Sequence, residues 1–217
     1  ADITIAAFNG HANTVISGAC DAVEAISARF ATRGARVKAL RVSNAFHSPL
    51  VDPVLDGFQA EIARIGFASP SLPLVSSLTG LPVERGQLAQ SRYWRDHLRQ
   101  PVQFARAMGS LAQLDITHFI ELSPQPVLLG MGAELVADAQ WLPSLREGQG
   151  AWQVMFDSAQ NLYVSGLQFD WSRFPDDMPR RRVELPTYPF QRQRHWHEAV
   201  GLAHAVQLPA AERWERV

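Results

Sequence analysis

Asn44-Ala45-Phe46-His47-Ser48-Pro49-Leu50 is the stretch on which the reading of this 217-residue chain turns. It follows Val37-Lys38-Ala39-Leu40-Arg41-Val42-Ser43, whose alternation predicts a strand. A helix should open directly after it, with Ser48 as N-cap and Pro49 as first helical residue. A histidine at a strand-to-helix turn is held on a rigid scaffold facing a cleft. The positive start of the helix would disfavour imidazolium and keep His47 neutral and basic. That suits a general base. A turn histidine without chemistry has the same local sequence, and these residues alone leave both readings open.

Upstream of this stretch, Ile3, Ile5 and Ala7 alternate with other residues, Asn9-Gly10 breaks the run, and Thr14-Val15-Ile16-Ser17 gives a second short strand. A helix is expected from Asp21, with Glu24 completing a capping box and Gly34 as terminator. Val23, Ile26 and Phe30 share its apolar face. Downstream, Phe58, Ile62 and Ile65 form a helical stripe, and Leu74 to Leu78 reads as a short strand. Pro101 should start a helix with Phe104, Met108 and Leu111 inward, and His118 to Leu122 reads as a buried strand. Alternating helices and strands place the chain in the α/β class and favour a parallel sheet. A last helix carries Trp152, Met155, Phe156, Ala159 and Tyr163 on its apolar face, and an irregular, proline-rich segment follows.

Composition narrows the function classes. With 47% hydrophobic and 19% charged residues, the chain can bury a sizeable core. A net charge of −1 gives no long-range steering of nucleic acid or membrane. Acids interleave the arginines at 180–182, 192 and 194, which argues against a nucleic-acid patch. The single cysteine, Cys20, cannot form an internal disulfide, so a reducing cytoplasm is expected. No apolar run approaches the length of a membrane span.

The central stretch resembles the catalytic-histidine motif of acyltransferase domains in modular type I polyketide synthases. These domains are similar to malonyl-CoA:acyl-carrier-protein transacylases. Four further segments match in the family's order. They are Ala6 to Gly10 with Val15 to Gly18; Tyr93-Trp94 with Leu98 to Phe104; Phe119 to Leu128; and Leu185 to Trp196. The resemblance implies an α/β architecture: part of a ferredoxin-like small subdomain over residues 1–46, then the C-terminal part of an α/β hydrolase-like large subdomain over 47–166. A linker that follows the acyltransferase would occupy 167–200, and a poorly ordered tail 201–217.

What the resemblance implies about chemistry is specific to positions. His47 would be the general base for acyl transfer through a serine. A backbone carbonyl, matched here to Gln103, would orient it in place of a carboxylate. Asn44, Ala45 and Phe46 would set substrate choice. Ala-Phe-His resembles malonyl-specific domains, because a phenyl ring fills the space that a methyl branch needs. Asn44 stands where such domains usually carry histidine, and Val51 where methionine is common, which also admits another small acyl group. Asn9 would line the cleft, although turn formation explains it equally well. The implied substrate is malonyl-CoA and the implied acceptor is phosphopantetheine on an acyl carrier protein, with no cofactor in the acyltransferase itself. The implied partners are an N-terminal acyltransferase half, a ketosynthase reached through the linker, and the carrier protein.

The family's nucleophile is a serine in a Gly-His-Ser-x-Gly elbow. No Gly-x-Ser-x-Gly frame occurs in these residues, so the chain alone is expected to be inactive. The alternative is a non-catalytic remnant that serves as a docking platform in a synthase. The other histidines carry simpler readings. His97 and His118 lie among apolar residues as structural groups, His11 occupies a turn, and His195, His197 and His204 fall in the linker or tail. None has metal-ligand spacing.

Overall fold

A computed structural model of the chain describes residues 3–40, 42, 44–173 and 182–193. The chain divides into two units, Ala1–Phe169 and Asp170–Val217. The first opens with an antiparallel hairpin, β1 (Ile3–Phe8) and β2 (Thr14–Gly18), with a bulge between Ile5 and Ala7. Helix α1 (Cys20–Ala31) follows. It begins one residue before Asp21, at an Ala19 N-cap that has no side-chain bond, so the expected capping box does not form. Asp21 lies instead inside the first turn, where its charge still favours the helix dipole.

Among the described residues, the strand expected at Val37 to Val42 does not form. Residues 35–40 have no regular structure, and Val37, Leu40 and Val42 are exposed. Among the described residues no strand pairs with this run, and a lone strand leaves its backbone groups unpaired. After His47 comes a 3-10 segment, Pro49–Val54, which contains Pro53 and passes into α2 (Leu55–Ile62). Pro53 lacks an N–H, so this entry cannot build a regular α-helical ladder. Leu74 to Leu78 makes a single bridge, Val75 to Pro82, and not a strand.

Helices α3 (Ser91–Arg99) and α4 (Phe104–Ala112) flank a short turn. Helix α4 starts three residues after Pro101 and buries Ala107 and Ser110, while Phe104, Met108 and Leu111 are half-buried. Strand β3 (His118–Glu121) pairs in parallel with β4 (Gln140–Pro143), and α5 (Leu128–Leu135) connects them. Both α5 and β4 escape the hydrophobic-pattern reading, because a β-strand of four residues and a short glycine-containing helix give too few periods to recognise. The Glu121 carboxylate accepts from the N–H groups of Val127, Leu128 and Leu129 at 3.0, 2.9 and 2.9 Å. It thereby satisfies donors that a helix start leaves open.

Parallel pairing brings Phe119 beside Trp141, and their rings stack at 4.2 Å. The Trp141 ring also fills the space over Gly132, where a Cβ would lie 2.3 Å from ring carbons. We expect Gly132→Ala to destabilise the protein by about 1–3 kcal/mol of overpacking. A gain of roughly 1 kcal/mol in helix propensity partly offsets that cost. Urea unfolding measures the balance, and an unchanged or raised midpoint would show that Trp141 can move aside.

Helix α6 (Ala151–Val164) closes the first unit and buries Val154, Ser158 and Leu162. That face is rotated from the one expected, since Trp152, Met155 and Tyr163 are exposed. The polar Ser158 can face inward because its hydroxyl donates to the Pro143 carbonyl at 2.7 Å. In the second unit the described residues are a 3-10 turn, Trp171–Arg173, and the segment 182–193, which has no regular structure. There the rings of Tyr188 and Phe190 meet edge to face at 5.4 Å, both exposed. His195, His197, His204, Arg180, Arg181, Arg194 and residues 201–217 lie outside the described residues. No described helix is long and apolar enough to cross a membrane.

Candidate active site

Segments distant in sequence meet at His47. The residue has φ 60°, a left-handed conformation uncommon for a residue with a side chain. Three bonds hold the turn. The His47 N–H donates to the Leu98 carbonyl at 3.2 Å. The Ser48 hydroxyl donates to the Ala45 carbonyl at 2.6 Å and accepts from the Leu50 N–H at 3.3 Å. Ser48 is fully buried, so these bonds also satisfy its side chain. Strain of this kind persists where the surroundings over-determine it, and it clusters at functional sites.

The His47 ring is fixed as well. Its Nδ1 lies 2.8 Å from the Gln100 carbonyl oxygen. A carbonyl can only accept, so Nδ1 carries the proton and the neutral ring keeps its lone pair on Nε2. Gln100 stands just past the last residue of α3 with extended backbone, φ −83° and ψ 157°. Its carbonyl therefore leaves the helical ladder and points at the histidine. Gln103, the residue matched by resemblance, does not occupy this place. Its carbonyl accepts from the Ala107 N–H at 2.9 Å as α4 begins. The Gln103 carbonyl thus serves the first turn of α4, while the bond to the His47 ring comes from Gln100.

The turn that bears Gln100 is tied down on both sides. The Gln100 N–H donates to the Asp96 carbonyl at 2.7 Å, and the Gln103 N–H to the Ser77 carbonyl at 2.7 Å. Val102 bonds to β1 through its N–H to Ala6 O at 2.8 Å and its carbonyl to the Phe8 N–H at 2.9 Å. Two ion pairs join α3 to the segment after His47: Arg99 with Asp52, and Arg95 with Asp56 at 2.9 Å. Exposed pairs contribute only about 0–1 kcal/mol each. Their spacing of four residues on both partners nonetheless favours one register between the two elements.

His97 adjoins the site. Its ring lies edge-on to His47 with centroids 6.4 Å apart, and its Nε2 is 2.9 Å from the Ser77 hydroxyl. Burial first, and then the charge of a protonated His47, lower the pKa of His97 below the ordinary histidine value of 6.5. Tyr93 packs beside it and places its hydroxyl 2.7 Å from the buried Ser76 hydroxyl.

The expected specificity residues lie on the outer side of this turn. Asn44 and Phe46 are exposed and Ala45 is half-buried, with half of Phe46 accessible. Asn9 sits in the β1–β2 connection, where its N–H donates to the Asn13 carbonyl at 2.9 Å. Two shallow concavities, one at Ile26, Arg29, Phe30 and Arg33 and one between Thr79 and Gln90, include none of these residues. Gln100, Ser77 and His97 escaped sequence reasoning as site residues. A backbone acceptor leaves no side-chain signature, and Ser77 lies outside every matched segment.

The model of the acyl transferase domain family matches residues 1–168. The chain belongs to that family. This acyltransferase chain is 38% identical over 216 residues to polyketide synthase GfsA of Streptomyces halstedii, covering 98% of this chain and 3% of that protein. It is 39% identical to phenolphthiocerol synthesis polyketide synthase type I Pks15/1 of Mycobacterium bovis, covering 95% of this chain and 10% of that one. Among solved structures it is similar to the acyltransferase domain from the second module of the salinomycin polyketide synthase. That likeness has TM-score 0.73 and 37% identity and covers 78% of this chain and 40% of that domain. Malonyl-CoA:acyl carrier protein transacylase of Xanthomonas oryzae matches with TM-score 0.62 and 25% identity, over 70% of this chain and 48% of that one. The chain thus spans about half or less of the solved chains it matches and a small part of the synthases.

Proposed function

We propose that this chain supplies the general base and acyl-selecting turn of a polyketide synthase acyltransferase that loads malonyl groups from CoA onto an acyl carrier protein. The observation that carries this reading is the His47 Nδ1–Gln100 carbonyl bond, which leaves Nε2 as the basic nitrogen. The nucleophile is a serine from a segment outside this chain. Nε2 takes the serine proton as Oγ attacks the thioester carbonyl, then returns it to the CoA thiolate as the C–S bond breaks. The phosphopantetheine thiol of the carrier protein attacks the acyl-serine in the reverse sense, again with Nε2 moving the proton. Phe46, next to the base and half exposed, faces the α-carbon of the acyl group. The similar malonyl-CoA:acyl carrier protein transacylase supports malonyl as donor. A ketosynthase and a carrier protein are the partners of this reading, because the relatives are polyketide synthases. The partial ferredoxin-like and hydrolase-like subdomains belong to the same proposal.

Mass spectrometry tests it. Residues 1–217 incubated with malonyl-CoA should form no acyl adduct. The complete domain, with a Gly-x-Ser-x-Gly segment present, should carry one malonyl group on that serine. A stable adduct on Ser48 or another serine of this chain would sink the reading. Absence of any adduct on the complete domain would favour a non-catalytic platform instead.

A further inference from the structure

We propose that Ser77 and His97 form a brace that positions the Gln100 carbonyl, and through it the ring of His47. The inference rests on the reading of His47 as base. Gln100 lies in the short turn between α3 and α4, and Ser77 grips both flanks of that turn. On the near side the Ser77 hydroxyl meets His97 Nε2 at 2.9 Å, three residues before Gln100. On the far side the Ser77 carbonyl accepts from the Gln103 N–H at 2.7 Å, three residues after it. One residue from a separate segment thus spans the turn that carries the carbonyl fixing His47. The His97 ring adds a second restraint, since it lies edge-on to His47 at 6.4 Å and limits its rotation. Ser77 is itself held by its neighbour, because the Ser76 hydroxyl caps the Leu78 and Thr79 N–H groups at 3.1 and 3.3 Å. Neither Ser77 nor His97 touches a reacting atom in this scheme. Both act by keeping Nδ1 on its acceptor, so that the lone pair stays on Nε2.

The test uses the complete acyltransferase with Ser77→Ala, His97→Leu and His97→Gln, each checked for folding by its thermal transition. Ring nitrogen NMR reads the His47 tautomer, and malonyl loading gives kcat and KM separately. Ser77→Ala and His97→Leu should change a single Nδ1–H tautomer into a mixture. They should also lower kcat about tenfold to a hundredfold with KM nearly constant, as expected when a reacting group is misplaced by a fraction of an ångström to one ångström. His97→Gln can place its amide where Nε2 lies, still bond the Ser77 hydroxyl, and should retain most of the activity. Two variants break the same bond from opposite ends, so misfolding of one leaves the other to decide. A single tautomer and wild-type kcat in a folded variant would overturn the brace. Tautomer loss in the brace variants, together with unimpaired loading by His47→Ala, would instead uphold the brace and remove His47 from the chemistry.

Discussion

His47→Ala in the complete acyltransferase is expected to slow malonyl loading by about a hundredfold or more, the scale on which loss of a general base is felt. The fold should survive the change. The side chain is half-buried, and its removal costs one side-chain hydrogen bond, worth about 0.5–1.5 kcal/mol. The backbone offers a control, because φ at this position is 60°. His47→Gly removes the same imidazole while relieving the left-handed strain, so it should be at least as stable as His47→Ala and equally slow. Single-turnover loading, read by mass spectrometry beside a urea melt, separates the two effects. Wild-type loading by either folded variant would refute the role of His47.

Phe46→Ser is expected to narrow the preference for malonyl-CoA over methylmalonyl-CoA. Half of the Phe46 surface is accessible, so the ring fills little of this chain's own core and can serve as a wall for substrate. Removing it opens the space that a methyl branch needs. The change in selectivity is bounded at about 1–3 kcal/mol, because a hydrophobic pocket cannot discriminate one methyl by more. Some loss of rate should accompany it, since Phe46 adjoins a base held in a strained turn. Competition between the two donors, expressed as a ratio of kcat/KM values, is the measurement. An unchanged ratio would show that Phe46 does not face the α-carbon.

Local chemistry decided several features ahead of any tertiary contact. Ser48 and Pro49 mark a helical start because a hydroxyl acceptor followed by a ring without an N–H suits a first turn, and the Leu50 N–H does bond to Ser48. The β1–β2 hairpin was legible from alternation broken at Asn9-Gly10, and α6 from its length and periodicity. Other features depended on neighbours. The run Val37 to Val42 has the alternation of a strand and, among the described residues, no partner strand to make it one. Helix α6 turns Val154, Ser158 and Leu162 inward and leaves Trp152, Met155 and Tyr163 exposed, and the Pro143 carbonyl satisfies the buried serine.

The site divides in the same way. The sequence by itself determined the place of His47 before a capped helical turn and the phenylalanine beside it, since each depends on residues within three positions. Only the tertiary structure decided which carbonyl orients that histidine. Gln100 and Gln103 differ by three positions in one short turn, and composition treats them alike. The start of α4 engages the Gln103 carbonyl and the end of α3 releases that of Gln100, so the choice follows from where two helices stop and start. Those ends are set in turn by bonds to Ser77, Ala6 and Phe8, which lie more than twenty residues away and write nothing into the local sequence.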